Sequence, residues 1–256
     1  MADIVFIPNI STGDNRNHPY HYSVKSWMKW SEQYSDVRVV EWTQPLCPPS
    51  QLKITLQRYW VYSILDANDI EYDQVLIVDA DTIVHPKCPN FFSETHGEFS
   101  VVLNNGCSEW VTRSIKDWGE NLFPREPKIK PWRYFNGGFQ ITSKKHKPFY
   151  EVVKEFYNAN QDAINKLTHK IKAGTDQTII NYLAQKENIK INYLPECYNL
   201  QDLFRKNLLF IPGHSWFKDE LLFLDAGWVY HFNAIPQNTR HVAYWMQRTY
   251  EELYEI

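Results

Sequence analysis

No run of uncharged apolar residues in this chain of 256 approaches the roughly 18 that a membrane-spanning helix needs. A basic surplus is also missing. Lys and Arg number 27 against 30 Asp and Glu, and the formal net charge of −3 argues against a nucleic-acid binder. Cysteine is scarce: Cys47, Cys88, Cys107 and Cys197 contain no C-x-x-C pair, so a zinc ribbon is not expected. Free thiols in a reducing compartment suit such a count, and a cytoplasmic location is the expectation. The nine histidines form no H-E-x-x-H pattern, which argues against a zinc hydrolase. "MADIVFIPNI" lacks a basic n-region and a long apolar h-region, so it reads as a first strand and not as a signal peptide. Repeats, low-complexity tracts and linkers are absent, and apolar residues make up 43%. One large α/β domain with a sizeable core is therefore expected.

What is present follows a strand–helix rhythm. Strands are expected at 3–10, 37–42 and 74–79, with helices at 21–34 and after "CPPS", where Ser50 is a candidate cap. In that second helix Leu52, Leu56, Trp60 and Ile64 recur at i+4. This order predicts a largely parallel sheet with helices on both faces. Later strands are expected at 98–105, 133–143 and 228–234, and helices at 147–172, 176–186 and 241–254. Residues 106–131, with Pro124, Pro127 and Pro131, read as a long excursion over the surface.

The stretch "QVLIVDAD" concentrates the chemistry. Val75 to Val78 are four apolar residues in a row, as in a strand buried on both faces. Asp79 and Asp81 follow at its carboxyl end, where open α/β sheets bind ligands. Residues i and i+2 point to one side, so both carboxylates can reach one point. Buried carboxylates need donors or a cation, and hard oxygen ligands suit Mg²⁺ or Mn²⁺. Turn or helix-cap aspartates are the competing reading.

Five segments in order, "ITLQRYWVYSILDANDIEYDQVLIVDADTIV", "YFNGGFQIT", "AGTDQTIINYLA", "LPECYNL" and "WVYHF", resemble glycosyltransferase family 8. These are the glycogenin-like, retaining nucleotide-sugar transferases of GT-A type fold. The resemblance implies a single GT-A type domain, about 1–103 for the nucleotide and about 104–256 for sugar and acceptor. It implies that Asp79, Asp81 and His231 hold a divalent ion, with the imidazole moving the preference from Mg²⁺ toward Mn²⁺. It further implies donor contacts from Pro8, Asn9, Arg58, Ala80, Asn136, Gly137 and Gly138, and places Asp176 and Gln177 near the anomeric carbon. The substrates implied are a nucleotide-diphosphate sugar, UDP-linked by resemblance, and a carbohydrate or other hydroxyl acceptor.

Plainer readings stand beside these. His231 reads as a core histidine, Gly137 and Gly138 as a β-bulge, and Thr175 or Asp176 as an N-cap. Arg58 reads as part of a solvated helix face. Trp110, Trp118 and Trp132 are acceptor-site candidates, whereas Trp60 and Tyr244 read as core. The chain also departs from the family. Gly137 stands where a serine is usual, Ala234 replaces a glycine, and no diphosphate-binding lysine follows His231, although Arg240 is a candidate substitute. The alternatives are a catalytically silent sugar- or nucleotide-sugar-binding homologue and a sugar-1-phosphate nucleotidyltransferase. The latter would need a glycine-rich basic loop that "IPNISTGDNRN" does not supply.

Overall fold

A computed structural model describes residues 1–11, 17–171, 173–209, 220–236 and 241–254, so Arg240 lies outside the described residues. Strands β1 (Asp3–Pro8), β2 (Val37–Trp42) and β3 (Gln74–Val78) lie parallel, with β1 between the other two. Beside β3, β6 (Phe135–Ser143) runs antiparallel, followed by β5 (Phe99–Leu103) and β7 (Ile191–Leu194). The six-stranded order is β2-β1-β3-β6-β5-β7, with β5 and β7 again parallel. The sheet is mixed and mostly parallel, as the strand–helix rhythm predicts, but its long central strand is reversed.

Unbroken apolar runs form the middle strands because both faces are covered. Ile4, Phe6, Val75 and Ile77 enter one core, shared with α3 (Val61–Ala67), α5 (Lys147–Ile171) and α6 (Thr175–Lys186). Val5, Ile7, Leu76 and Val78 enter the other, against Trp27 and Trp30 of α1 (His21–Ser31). Beyond the sheet, β4 (Thr82–Val84) and β8 (Val229–His231) form a two-stranded antiparallel ribbon. Its Ile83 and Tyr230 pack with Trp245, Met246 and Tyr250 of α7 (Val242–Tyr254) in a third core. No described helix is long and apolar enough to cross a membrane.

Three sequence expectations are corrected. Residues 106–131 are not wholly an excursion, because Ser108–Leu122 form α4. Its Val111, Ile115 and Trp118 recur at helical spacing and are buried, and the prolines begin only after it ends. Trp118 is consequently core and not an acceptor platform; it is fully buried and its Nε1 donates to Ala173 O at 2.6 Å. The helix expected after Ser50 breaks into α2 (Ile54–Gln57), a 3₁₀ turn at Arg58–Trp60, and α3. Lys53, not Ser50, holds the N-cap position, and no side chain caps it.

Candidate active site

The site forms where β3 ends and the β4–β8 ribbon begins. Asp79 N–H donates to Gly138 O at 2.9 Å, which ties the strand end to β6. Thr82 Oγ1 donates to Asp79 O at 2.8 Å and lies 3.1 Å from the buried Trp27 Nε1 that donates to it, fixing the Asp79–Asp81 turn. In the ribbon Thr82 pairs with His231, and Phe232 N–H donates to Asp81 O at 2.8 Å. Strand register therefore delivers a late histidine to an early pair of aspartates. His231 Nε2 lies 3.1 Å from Asp81 Oδ1 and 3.6 Å from Asp79 Oδ2. One ligand atom from each of the three residues falls within 4.8 Å of the others.

Only glycine fits beside this triad. A Cβ on Gly138 would collide with Asp79 Oδ2 and lie 2.7 Å from His231 Cε1. The strand pairing is also irregular here: Val101 pairs with Gln140 but Leu103 with Phe135. The bulge reading of the two glycines and the site reading thus hold together, since the irregularity accompanies the close approach of backbone to the triad.

Burial and charge pull the three groups apart. Burial raises the pKa of Asp79 even though Arg58 opposes it. Burial also works upward on Asp81, but the charge and hydrogen bond of His231 hold it below the ordinary value. Burial works downward on His231, and the Asp81 carboxylate outweighs it, so the imidazole is raised. Arg58 is buried, not on a solvated face. Its Nη1 lies 2.5 Å from Asp79 Oδ1, and its Nη2 lies 3.9 Å from Asp176 Oδ2. Nη1 also donates to Gly137 O at 3.3 Å, and Nε to Thr55 O at 2.9 Å, so the 3₁₀ turn aims the guanidinium inward.

A chain of side-chain amides fixes the histidine tautomer. Leu103 O accepts from Gln201 Nε2 at 2.8 Å, and Gln201 Oε1 accepts from Asn136 Nδ2. Asn136 Oδ1 accepts from Gly138 N–H at 2.8 Å and from Asn199 Nδ2 at 3.1 Å. Asn199 Oδ1 therefore faces His231 Nδ1, 3.1 Å away, as an acceptor. A backbone carbonyl at one end and a backbone N–H near the other permit a single direction of donation. Nδ1 keeps its proton in the neutral ring, so Nε2, which faces Asp81, is the nitrogen that can release a proton and ligate a cation among the carboxylates. The donor set fits a divalent ion.

Two clefts meet at Asp79 and Asp81. One, of about 430 Å³, is lined by Pro8, Asn17, Tyr20, Thr55, Arg58 and Ala80 among others. Asn9 is not among the residues on its wall but holds one of them: its Oδ1 accepts from Asn17 Nδ2 at 2.9 Å, and its Nδ2 donates to Glu41 Oε1 at 2.7 Å. The other cleft, of about 400 Å³, carries Asn104, Trp110, Asn136, Asp176, Gln177, Asp202 and His231 on its wall. Gln177 Oε1 accepts from Gly137 N–H at 2.9 Å, while its buried Nε2 has no protein partner. The N-cap reading of Thr175 and Asp176 does not hold, since Gly174 occupies that position at φ 63° and no side chain caps it. Trp132 is 71% exposed, and Trp60 and Tyr244 are half-buried against their cores.

Sequence reasoning missed Asn17, Lys53, Asn104, Gln201, Asp202 and Arg205. Only "LPECYNL" carried any signal for this region, and it assigned no role to Asn199.

No protein-family model matches the chain, and no curated protein matches its sequence. Solved structures do match. A glycosyltransferase involved in the glycosylation of the major capsid of PBCV-1 superposes with TM-score 0.60 at 9% identity, over 97% of this chain and 100% of that one. Mouse xyloside xylosyltransferase 1 matches with TM-score 0.49 at 12% identity, over 92% of this chain and 99% of that one. The glycosyltransferase GlyE of Streptococcus pneumoniae TIGR4 matches with TM-score 0.48 at 14% identity, over 100% of this chain and 64% of that one. The first of these carries the fold: the chain has the GT-A type architecture.

Proposed function

We propose that this chain is a glycosyltransferase of the family 8 type. It moves a sugar from a nucleotide-diphosphate sugar, UDP-linked by resemblance, to a carbohydrate or other hydroxyl acceptor with retention of configuration. The observation that carries the reading is the convergence of Asp79, Asp81 and His231 where two clefts meet. One cleft is sized for a nucleoside and the other for a sugar with its acceptor, in keeping with a nucleotide half near 1–103 and an acceptor half beyond it.

Asp79, Asp81 and His231 would hold Mn²⁺, or Mg²⁺ less well, since one ligand is nitrogen. When bound, the ion supplies Lewis-acid neutralisation of the diphosphate charge that grows as the glycosidic bond breaks. Arg58 neutralises Asp79 and Asp176 and fixes their direction. Asp176 presents a carboxylate toward the cleft in which positive charge develops at the anomeric carbon. Gln177 Nε2, buried and unpartnered, is the donor left over for a sugar oxygen. Asn136 orients Asn199 and has one further amide hydrogen for the ligand. Pro8 and Ala80 wall the nucleoside cleft, and Trp110 offers an indole on the acceptor side. The four cysteines are free thiols, which supports a cytoplasmic setting.

The experiment is a panel of nucleotide sugars with and without Mn²⁺, read as release of nucleoside diphosphate. Manganese-dependent release with one donor, lost in Asp81→Ala at unchanged melting temperature, is the expected result. Full activity of Asp81→Ala in chelator would reject the mechanism. Tight binding with no turnover would favour the silent homologue.

A further inference from the structure

Among the described residues, Lys53 occupies a position shared only with the two aspartates. It lines both clefts, as Asp79 and Asp81 do, and so stands over the place where the clefts join. The other full cations on these walls are already matched. Arg58 faces Asp79 and Asp176, and Arg205 Nη1 lies 2.7 Å from Asp202 Oδ1. Among the described residues the Lys53 ammonium has neither a carboxylate nor a hydrogen-bond partner, although the side chain is exposed beside an acidic site. The extended backbone at Lys53, with ψ 137°, turns the chain from the loop after β2 into α2 at this point.

The charge balance indicates what belongs under it. Asp79, Asp81, Asp176 and Asp202 bring four negative charges to the two walls, against Arg58, Arg205 and Lys53. Counted over the described residues, a divalent cation on the triad would leave the region one unit positive, and Lys53 is the one ammonium there without a carboxylate partner. A ligand that reaches from one cleft to the other must pass over the triad. Its own charge therefore belongs at the crossing, where Asp79, Asp81 and Lys53 line both clefts. A flexible four-carbon stem ending in a compact point charge suits phosphate oxygens whose orientation changes as a bond breaks.

We infer that Lys53 is a diphosphate-binding cation of this site, supplied from the loop before α2. The inference rests on the nucleotide-sugar reading above and deepens it, since it requires the bridging group to be a diphosphate with nucleoside on one side and sugar on the other.

Calorimetric titration of the full chain with Mn²⁺ and UDP, GDP or ADP, and then with the matching monophosphate, tests it without turnover. Lys53→Met should weaken the preferred diphosphate by about ten- to a hundredfold, the loss of one charge-assisted contact. The monophosphate should lose several-fold less, Lys53→Arg should retain most of the affinity, and the melting temperature should not change, because the side chain is exposed. Wild-type affinity in Lys53→Met, or equal losses for diphosphate and monophosphate, would overturn the assignment while leaving the nucleotide-sugar reading intact. A wild-type protein that binds none of the three diphosphates would overturn that reading, and this assignment with it.

Discussion

Asn199 Oδ1 accepts the Nδ1 proton of His231 across 3.1 Å, and this bond leaves the opposite ring nitrogen facing Asp81. Asn199 touches no carboxylate of the triad, yet it decides whether the imidazole can act as a ligand. The amide is itself held by Asn136 and, through Gln201, by the carbonyl of Leu103.

Asn199→Ala should therefore weaken Mn²⁺ binding by about 10- to 100-fold, the usual cost of losing the group that orients a metal-bound histidine. Titration of free Mn²⁺ by electron paramagnetic resonance measures it. Unchanged affinity would show that the imidazole is positioned by packing alone.

Gly138→Ala and Gly137→Ala should separate sharply. A methyl on Gly138 meets Asp79 Oδ2 and His231 Cε1, so the triad must open and cation binding should be lost in a protein that still folds. A methyl on Gly137 lies 3.3 Å from Gln177 Cβ, which calls for a shift of a few tenths of an ångström and leaves the triad alone. Metal titration of both variants, with circular dichroism as the control for folding, checks the contrast. Equal metal affinity in the two would contradict the proposed crowding.

Ala234 has φ 55°, a left-handed conformation in which a Cβ is strained. The left-handed backbone at this position accounts for the glycine that the resemblance expects there. Ala234→Gly should stabilise the fold by about 0.5–1 kcal/mol, raising the melting temperature by roughly 1–4 °C for a domain of this size. A lower melting temperature would mean that the methyl contributes packing that outweighs the strain.

Asp3 is buried at the start of β1, and its pKa is pushed up to about 6. Burial is the largest cause, and the nearby Asp73 and Asp36 add to it, while the N–H of Gln74, 3.1 Å from Oδ1, opposes it. A folded pKa above the ordinary 3.8 means that the native state binds the proton more tightly. The resulting stability is fully present below pH 3.8 and is lost as pH rises through about 6. Asp3→Asn keeps the acceptor and removes the charge. It should stabilise by about 1 kcal/mol at pH 7.5, after allowance for solvent screening, and by almost nothing at pH 3.5. Urea unfolding at the two pH values gives the comparison, and an equal gain at both would exclude burial of charge as the cause.

The fold was legible to the extent that it followed from local pattern. The alternation hidden in Val75–Val78, the helical spacing of α5 and α7, and the order of strands and helices all place residues by rules that act over a few positions. The prolines of 124–131 masked α4, because they lent the whole segment an irregular look, although Val111, Ile115 and Trp118 held a helical period before them. The break in the helix around Arg58 was also hidden. Its apolar face continues through the 3₁₀ turn, and the aspartates that Arg58 meets from that turn are distant in sequence.

By itself the sequence determined the two-sided core, the carboxylates at the end of β3 and the glycines opposite them, since each depends on side-chain size and polarity along a short run. The resemblance already named His231 as the partner of those carboxylates; only the tertiary structure decided which of its nitrogens faces them, that Arg58 is buried, and that Lys53 stands between two clefts. These depend on strand register across the β4–β8 ribbon and on hydrogen bonds between β5, β6 and the segment before β8. Such contacts have no period along the chain, and they arise only once the sheet has closed.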